Sequence, residues 1–251
     1  MKYALVNNKR AVAEKGVKGI CPCCKSDVIP KCGQKKADHW AHKSKQDCDS
    51  WREGETPWHR MWKDYFPEDW QEVVHRDGVS GEKHVADVKT NEGWVIEVQH
   101  SPIHPDERIS RNEFYKKIVW VVDGTRLKRD WQRFEKMLQI GIPFPPKKIP
   151  SFAIDPNHQC NLVEDWHDEN AFVLFDFQQA YAYKDGQQML WLLYPKKKAN
   201  DIILSHFPKK VFITLHLQNH FNEFFSKHIP EVQKERSRLL DVYRRTNRVN
   251  F

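Results

Sequence analysis

Residues 84–101 read HVADVKTNEGWVIEVQHS, and their reading decides the fold. Two runs rich in Val and Ile flank Asn91-Glu92-Gly93, which suits a three-residue hairpin loop with Gly93 free to take positive φ. That loop sets position 87 opposite position 97, so Asp87 on one strand faces Glu97 on the other. Gln99 shares the face of Glu97, because strand side chains repeat every two residues. Val85, Ala86, Val88, Val95, Ile96 and Val98 surround the acids with apolar bulk. Two carboxylates side by side in such surroundings repel each other and lose hydration unless a cation lies between them. Hard oxygen ligands of this kind suit Mg²⁺ or Mn²⁺.

Upstream of the hairpin, Ser50 or Thr56 can start a helix, with Pro57 in its first turn and Trp58, Met61, Trp62, Tyr65 and Phe66 as an apolar stripe. Glu55, His59 and Lys63 fall at i, i+4 and i+8, one face of that helix if it includes Glu55. A helix starting only at Thr56 leaves Glu55 just outside it. Asp69–Val74 reads as a strand leading into the hairpin. Downstream, Pro105–Lys117 reads as a helix, Ile118–Val122 as a buried strand, Asp123-Gly124 as a turn, and Leu127–Ile140 as an amphipathic helix. Helix, three strands, helix, strand, helix is the order of an α/β layer with a mixed sheet.

The N-terminal fifty residues have a different chemistry. Tyr3–Val6 and a stretch around Ala11–Ala13 read as short strands, and five of the six cysteines lie within residues 21–48. In a reducing compartment such clustering points to metal rather than disulfides. Cys21 and Cys24 form a C-x₂-C knuckle, and Cys21, Cys24, His42 and Cys48 make a closed Cys₃His set for structural Zn²⁺. His39 rivals His42 for the third place, and Cys23 or Cys32 enters under a different pairing. So small a segment has little core, and metal would supply much of its folding energy.

Net charge is +7 and is unevenly spread: residues 1–50 carry +6, residues 195–251 carry +7, and the section between them carries −6. Basic flanks around an acidic centre fit a polyanion gripped at both ends. Mean hydropathy is −0.77, and no apolar run approaches 18 residues, so no transmembrane helix is expected. The start, MKYALVNNKRAVA, lacks the apolar segment of a signal peptide, and the expected compartment is the cytoplasm.

GIPFPPKKIP, residues 141–150, reads as a Pro-rich linker and a domain boundary. Beyond it, Phe152–Ile154, Phe172–Phe177, Tyr181–Tyr183 and Met189–Tyr194 read as strands, and Val211–Lys227 and Glu231–Arg245 as helices. Lys196-Lys197-Lys198 and Arg236, Arg238, Arg244 and Arg245 suit phosphates or plain solvated surface equally. The organisation expected is a zinc-binding segment over 1–50, a central domain over 51–141, and a small α+β domain over 151–251 that binds nucleic acid or a partner.

In this order, the CPCC…HWAH…C cluster, ETPWHRMWK, ADVKT…VIEVQHS and RNEFYKKIVWVVD resemble the competence protein CoiA-like family, within the broad PD-(D/E)xK nuclease group. The resemblance covers residues 3 to about 140. It implies a restriction-endonuclease-like core, with Asp87 as the motif's metal-binding Asp and Glu97 as its second acid. Gln99 stands where the parent motif has Lys; Glu55 matches the helical acid, and His59 and Lys63 complete an E-x₃-H-x₃-K face. The activity implied is an Mg²⁺- or Mn²⁺-dependent endonuclease acting on DNA, in DNA uptake and recombination or in defence against foreign DNA. The competing readings are an inactive DNA-binding protein on a nuclease scaffold, which Gln99 favours, and a ribonuclease, since 2′-OH recognition has no signature here. Single-stranded, double-stranded and branched DNA stay open as substrates, as does a homodimer or protein partner bound through the C-terminal domain; no membrane is involved.

Overall fold

The computed structural model describes residues 1–33, 37–44, 48–51, 54–144, 149–167, 171–178, 187–196 and 202–248. The chain forms two compact units, Met1–Lys89 with Val95–Glu97, and Thr90–Trp94 with Val98–Phe251.

The first unit begins with β1 (Tyr3–Val6), β2 (Lys9–Val12), β3 (Gly19–Ile20), β4 (Asp27–Lys31) and β5 (His39–His42). They form an antiparallel sheet in the order β2-β1-β3-β4-β5. Its core holds Met1, Ala4, Ala13, Val28 and Trp40 with Cys21 and Cys23, too few large side chains to be robust unaided. At Gly19 an added Cβ would lie 3.0 Å from Ala4 Cβ and 3.1 Å from the Trp40 ring, so glycine lets that ring close over β3 without crowding.

Helix α1 (Pro57–Lys63) follows. Thr56 caps it, its hydroxyl accepting the His59 N–H at 3.1 Å, with Pro57 at the first helical position. Of the apolar stripe, Trp58, Trp62 and Phe66 are buried, while Met61 and Tyr65 are exposed. A 3₁₀ turn (Glu68–Trp70) leads into β6 (Gln71–Arg76), which pairs antiparallel with β7 (Lys83–Lys89). β7 pairs antiparallel with β8 (Val95–Gln99). Thr90 closes the turn: its N–H donates to the Trp94 carbonyl at 2.8 Å and its carbonyl accepts from Gly93 at 2.9 Å. Gly93 takes φ 79° in the three-residue loop.

The second unit carries α2 (Pro105–Tyr115), β9 (Ile118–Asp123), α3 (Asp130–Ile140), β10 (Ile142–Phe144), β11 (Ser151–Ile154), α4 (Asn161–Trp166) and β12 (Phe172–Asp176), then β13 (Met189–Leu193), β14 (Ile202–Pro208), α5 (Lys209–Leu217) and α6 (Phe221–Arg248). β9 and β12 run parallel, while β12, β13, β14, β11 and β10 pair antiparallel in turn. Parallel β9–β12 beside these antiparallel pairs makes the sheet mixed, so the chain is α/β with a mixed sheet, as expected. Trp120, Phe134, Phe175, Phe177, Phe207, Phe212 and Phe221 fill the core of this unit. The hairpin loop belongs to it too: the Glu92 carboxylate accepts the Phe221 and Asn222 N–H groups at 3.1 and 3.2 Å, capping α6.

Several expectations for the C-terminal region are corrected. The helix read over Val211–Lys227 is two helices, broken where Asn219 takes φ 56°. The helix read from Glu231 begins instead at Phe221 and runs through Pro230. Phe221, Phe225, His228 and Val232 stay buried along one face, and that packing outweighs the missing proline donor. β14 and α4 went unread, and Ile142–Phe144 of the Pro-rich stretch forms β10. Tyr181–Tyr183, Lys197 and Lys198 lie outside the described residues, as do the side chains of Arg244 and Arg245. Among the described residues, no helix is long and apolar enough to cross a membrane.

Candidate active site and metal centre

The first site is built on the turn between β3 and β4. The Cys21 N–H donates to the Ser26 carbonyl at 2.8 Å and the Lys25 N–H to the Cys21 carbonyl at 3.0 Å, with Lys25 at φ 64°. This tight turn aims the Cys21 and Cys24 thiols to one side. β5 delivers His42, and Cys48 follows. The four ligand atoms lie within 4.8 Å of one another, with Cys21 Sγ 3.7 Å from Cys48 Sγ and Cys24 Sγ 3.4 Å from His42 Nε2. A tetrahedral zinc with sulfur at about 2.3 Å sets neighbouring sulfurs about 3.8 Å apart. Cys21, Cys24, His42 and Cys48 therefore form a group that can hold a zinc ion.

The thiols fit that role electrostatically. Burial pushes Cys24 up, but hydrogen bonds from Ser26 and His42 outweigh it and bring it down to about 6. Burial and the neighbouring Cys21 charge push Cys48 well above the ordinary thiol value. Clustered thiolates are costly until a cation neutralises them. His39 stands apart, its Nδ1 3.0 Å from the Ala37 carbonyl, and Cys32 lies 3.8 Å from the Ala13 carbonyl.

The second site lies on β6, β7, β8 and α1. The pairing Val88↔Ile96 and Lys89↔Val95 sets Asp87 opposite Glu97, the arrangement read from the loop length. The Asp87 N–H donates to Glu97 Oε1 at 3.3 Å. His59 Nε2 lies 2.8 Å from Asp87 Oδ2. Lys63 Nζ lies 2.6 Å from Glu55 Oε1 and 2.9 Å from Glu72 Oε1, with the Lys63 side chain 2% exposed. Glu55 precedes the cap and is not helical, yet Lys63 and the Arg60 guanidinium, 2.8 Å from Oε2, draw it back to the helix face.

Glu72 is the residue sequence reading missed. The β6–β7 register, Gln71↔Val88 and Val73↔Ala86, places Glu72 opposite Asp87. Three acids thus stand abreast on three adjacent strands. Glu72 holds φ 47°, an uncommon backbone for a side chain other than glycine, and its carboxylate accepts the Lys2 N–H at 2.7 Å and the Tyr3 N–H at 3.1 Å. No local signal marked it, because the β6–β7 turn was not legible.

The charges are mutually dependent. Burial alone would lower the Lys63 ammonium; the negative charges of Glu72, Asp87 and Glu55 outweigh it and hold it above the ordinary lysine value. Burial would raise Glu72, but Lys63 and the Lys2 N–H hold its carboxyl well below the usual carboxylate range. Burial would likewise raise Glu55, and Lys63 and Arg60 hold it below that range. Gln99 ends β8 within the second unit, where its Nε2 donates to the Ser101 carbonyl at 2.9 Å.

The chain thus pairs a cysteine-rich segment that can hold a metal ion with an acid cluster on an α/β sheet. Residues 6–50 match the family model of the competence protein CoiA, N-terminal domain. No curated protein and no solved structure matches the chain.

Proposed function

We propose that this chain is a metal-dependent nuclease of the PD-(D/E)xK kind with a restriction-endonuclease-like core, hydrolysing DNA phosphodiester bonds in DNA uptake and recombination or in defence against foreign DNA. The observation that carries this reading is the row Glu72, Asp87, Glu97 across three paired strands, with His59 and Lys63 of α1 paired to it. Asp87 and Glu97 are hard oxygen donors at directly opposed positions, a donor set that fits Mg²⁺ or Mn²⁺. They would hold the ion, whose chemistry when bound is to acidify water and to offset charge on a phosphate.

The side chains supply the rest. Lys63, buried between Glu55 and Glu72, keeps the acids ionised and the helix fixed to the strands. His59, 2.8 Å from Asp87, can hold or pass a proton at Nε2. Gln99 can position a group but cannot titrate. The +6 charge of residues 1–50 supports attraction of a polyanion.

The test is cleavage of labelled single-stranded, double-stranded and branched DNA, and of RNA, with Mg²⁺ or Mn²⁺. Wild type should cut, and folded Asp87→Ala and Glu97→Ala should lose at least about a hundredfold in rate, the loss expected when a catalytic ion loses a ligand. No cleavage of any substrate by wild type overturns the proposal. Gln99 in place of the motif lysine favours one second reading, a binding protein on a nuclease scaffold. Equal DNA binding by wild type and variants, with no cleavage, is its signature.

A further inference from the structure

The metal centre is tied at two points to the strand that bears Asp87, all within the first unit. Between the ligands Cys21 and Cys24, the Cys23 carbonyl accepts from Lys83 Nζ at 3.0 Å. Directly after the ligand Cys48, the Asp49 carboxylate is 4% exposed and is spent on β7: Oδ1 lies 2.7 Å from His84 Nδ1, and Oδ2 accepts the Val85 N–H at 2.7 Å. Trp51 completes the grip. Its N–H donates to Asp49 Oδ1 at 3.0 Å, and its ring stacks on His84 at 3.3 Å and 11°. Glu82 Oε1 holds the other imidazole nitrogen at 2.9 Å, and Val74 and Val85 pack against the cysteine core.

We propose that the cysteine cluster is the anchor of the acid hairpin, and that Asp49 and His84 are positioning residues that set Asp87 for cation binding. Lys83, His84 and Val85 lie two to four residues before Asp87 on the same strand, β7, so whatever fixes them fixes the height and rotation of Asp87 against Glu97. Residues 23 and 49 each adjoin a ligand, so a zinc ion that locks Cys21, Cys24 and Cys48 also locks the two points that grip β7. Without the ion the thiols separate and both points lose their fixed reference. Zinc occupancy and cation affinity at Asp87 are then coupled, and coupling of this kind is reciprocal. Asp49 is chosen over other acids because, besides accepting the Trp51 N–H, it spends both oxygens on β7, one at the His84 imidazole and one on the Val85 N–H.

This inference rests on the reading of Asp87 and Glu97 as a cation-binding pair, and two readouts separate the two. The zinc-loaded full chain is compared with Asp49→Asn for amide exchange of residues 83–89 and for Mn²⁺ affinity by paramagnetic resonance, with zinc content measured alongside. With zinc retained, Asp49→Asn should speed exchange in residues 83–89 about tenfold or more and leave Ile118–Asp123 unchanged, since hydrogen bonds to a buried charge are lost. Mn²⁺ binding should weaken about tenfold. If Asp49→Asn keeps zinc and both readouts stay within twofold of wild type, the anchor is refuted. If wild type binds no Mn²⁺, the cation-pair reading fails on its own, and the exchange data still decide whether the cluster anchors β7. Should Asp49→Asn release zinc, His84→Leu removes the imidazole contact to Asp49 without altering residues 48–49, and the same thresholds apply.

Discussion

Replacing Lys63 with Met removes the ammonium that lies 2.6 Å from Glu55 and 2.9 Å from Glu72, at a position 2% exposed. Removing one partner of a buried ion pair costs about 3–5 kcal/mol, because the remaining charge stays buried without compensation. Here two carboxylates lose their shared partner; the Glu72 charge already disfavours the ionised form of Glu55, which keeps Arg60. We expect a loss of about 4 kcal/mol, which at a urea slope of about 2 kcal/mol/M lowers the midpoint by about 2 M. The pH dependence gives a second handle. Glu55 and Glu72 are held below the usual carboxylate range, so their contribution is present above that range and fades as pH falls through their lowered values. Lys63 is held above its ordinary value, so its contribution is complete at neutral and acid pH and is lost only as pH rises past that raised value. In Lys63→Met the buried acids lose that ammonium, burial raises them from their lowered values, and protonation on acidification relieves the penalty. The gap between wild type and variant should therefore narrow from pH 7 to pH 4.5. Urea unfolding followed by tryptophan fluorescence at the two pH values measures it. A midpoint shift under about 0.5 M at pH 7, or a gap that does not narrow, would refute the ion-pair account.

Three further outcomes follow from the geometry. The purified chain should carry one zinc, Co²⁺ in its place should give thiolate charge-transfer absorption, and Cys24→Ser should abolish both, as metal analysis and absorption spectra would reveal. Glu92→Ala removes the acceptor for two N–H groups at the start of α6 and should cost about 1–2 kcal/mol in thermal melts; no change would mean that α6 is capped otherwise. Gly124→Ala puts a Cβ 2.5 Å from the Phe177 ring and should cost about 1–3 kcal/mol, visible as a lowered melting temperature.

How much was legible depended on range in the chain. The Asp87–Glu97 pairing was legible because a three-residue loop with glycine at positive φ leaves little choice of register. The zinc ligands were legible because a C-x₂-C knuckle is a local turn; choosing His42 over His39 needed the β4–β5 pairing, which sets His42 opposite Val28. Thr56-Pro57 marked the start of α1, but that start left Glu55 outside the helix, and only the pull of Lys63 and Arg60 returns it to the site. In the C-terminal region the signals conflicted. Pro230 read as a helix boundary, whereas a buried face from Phe221 to Val232 carries α6 through it.

By itself the sequence determined what short-range geometry dictates: turn lengths, caps, knuckle spacing, and the two acids that a tight hairpin must oppose. Only the tertiary structure decided what long-range pairing brings together. Glu72 joins the acids through the β6–β7 register, and Lys2 and Tyr3 reach it from the far end of the unit. Asp49 finds His84 across 35 residues. The physical reason is that register between strands without a tight turn, and the partner of a buried charge, are set by the packing of the whole unit rather than by neighbouring residues.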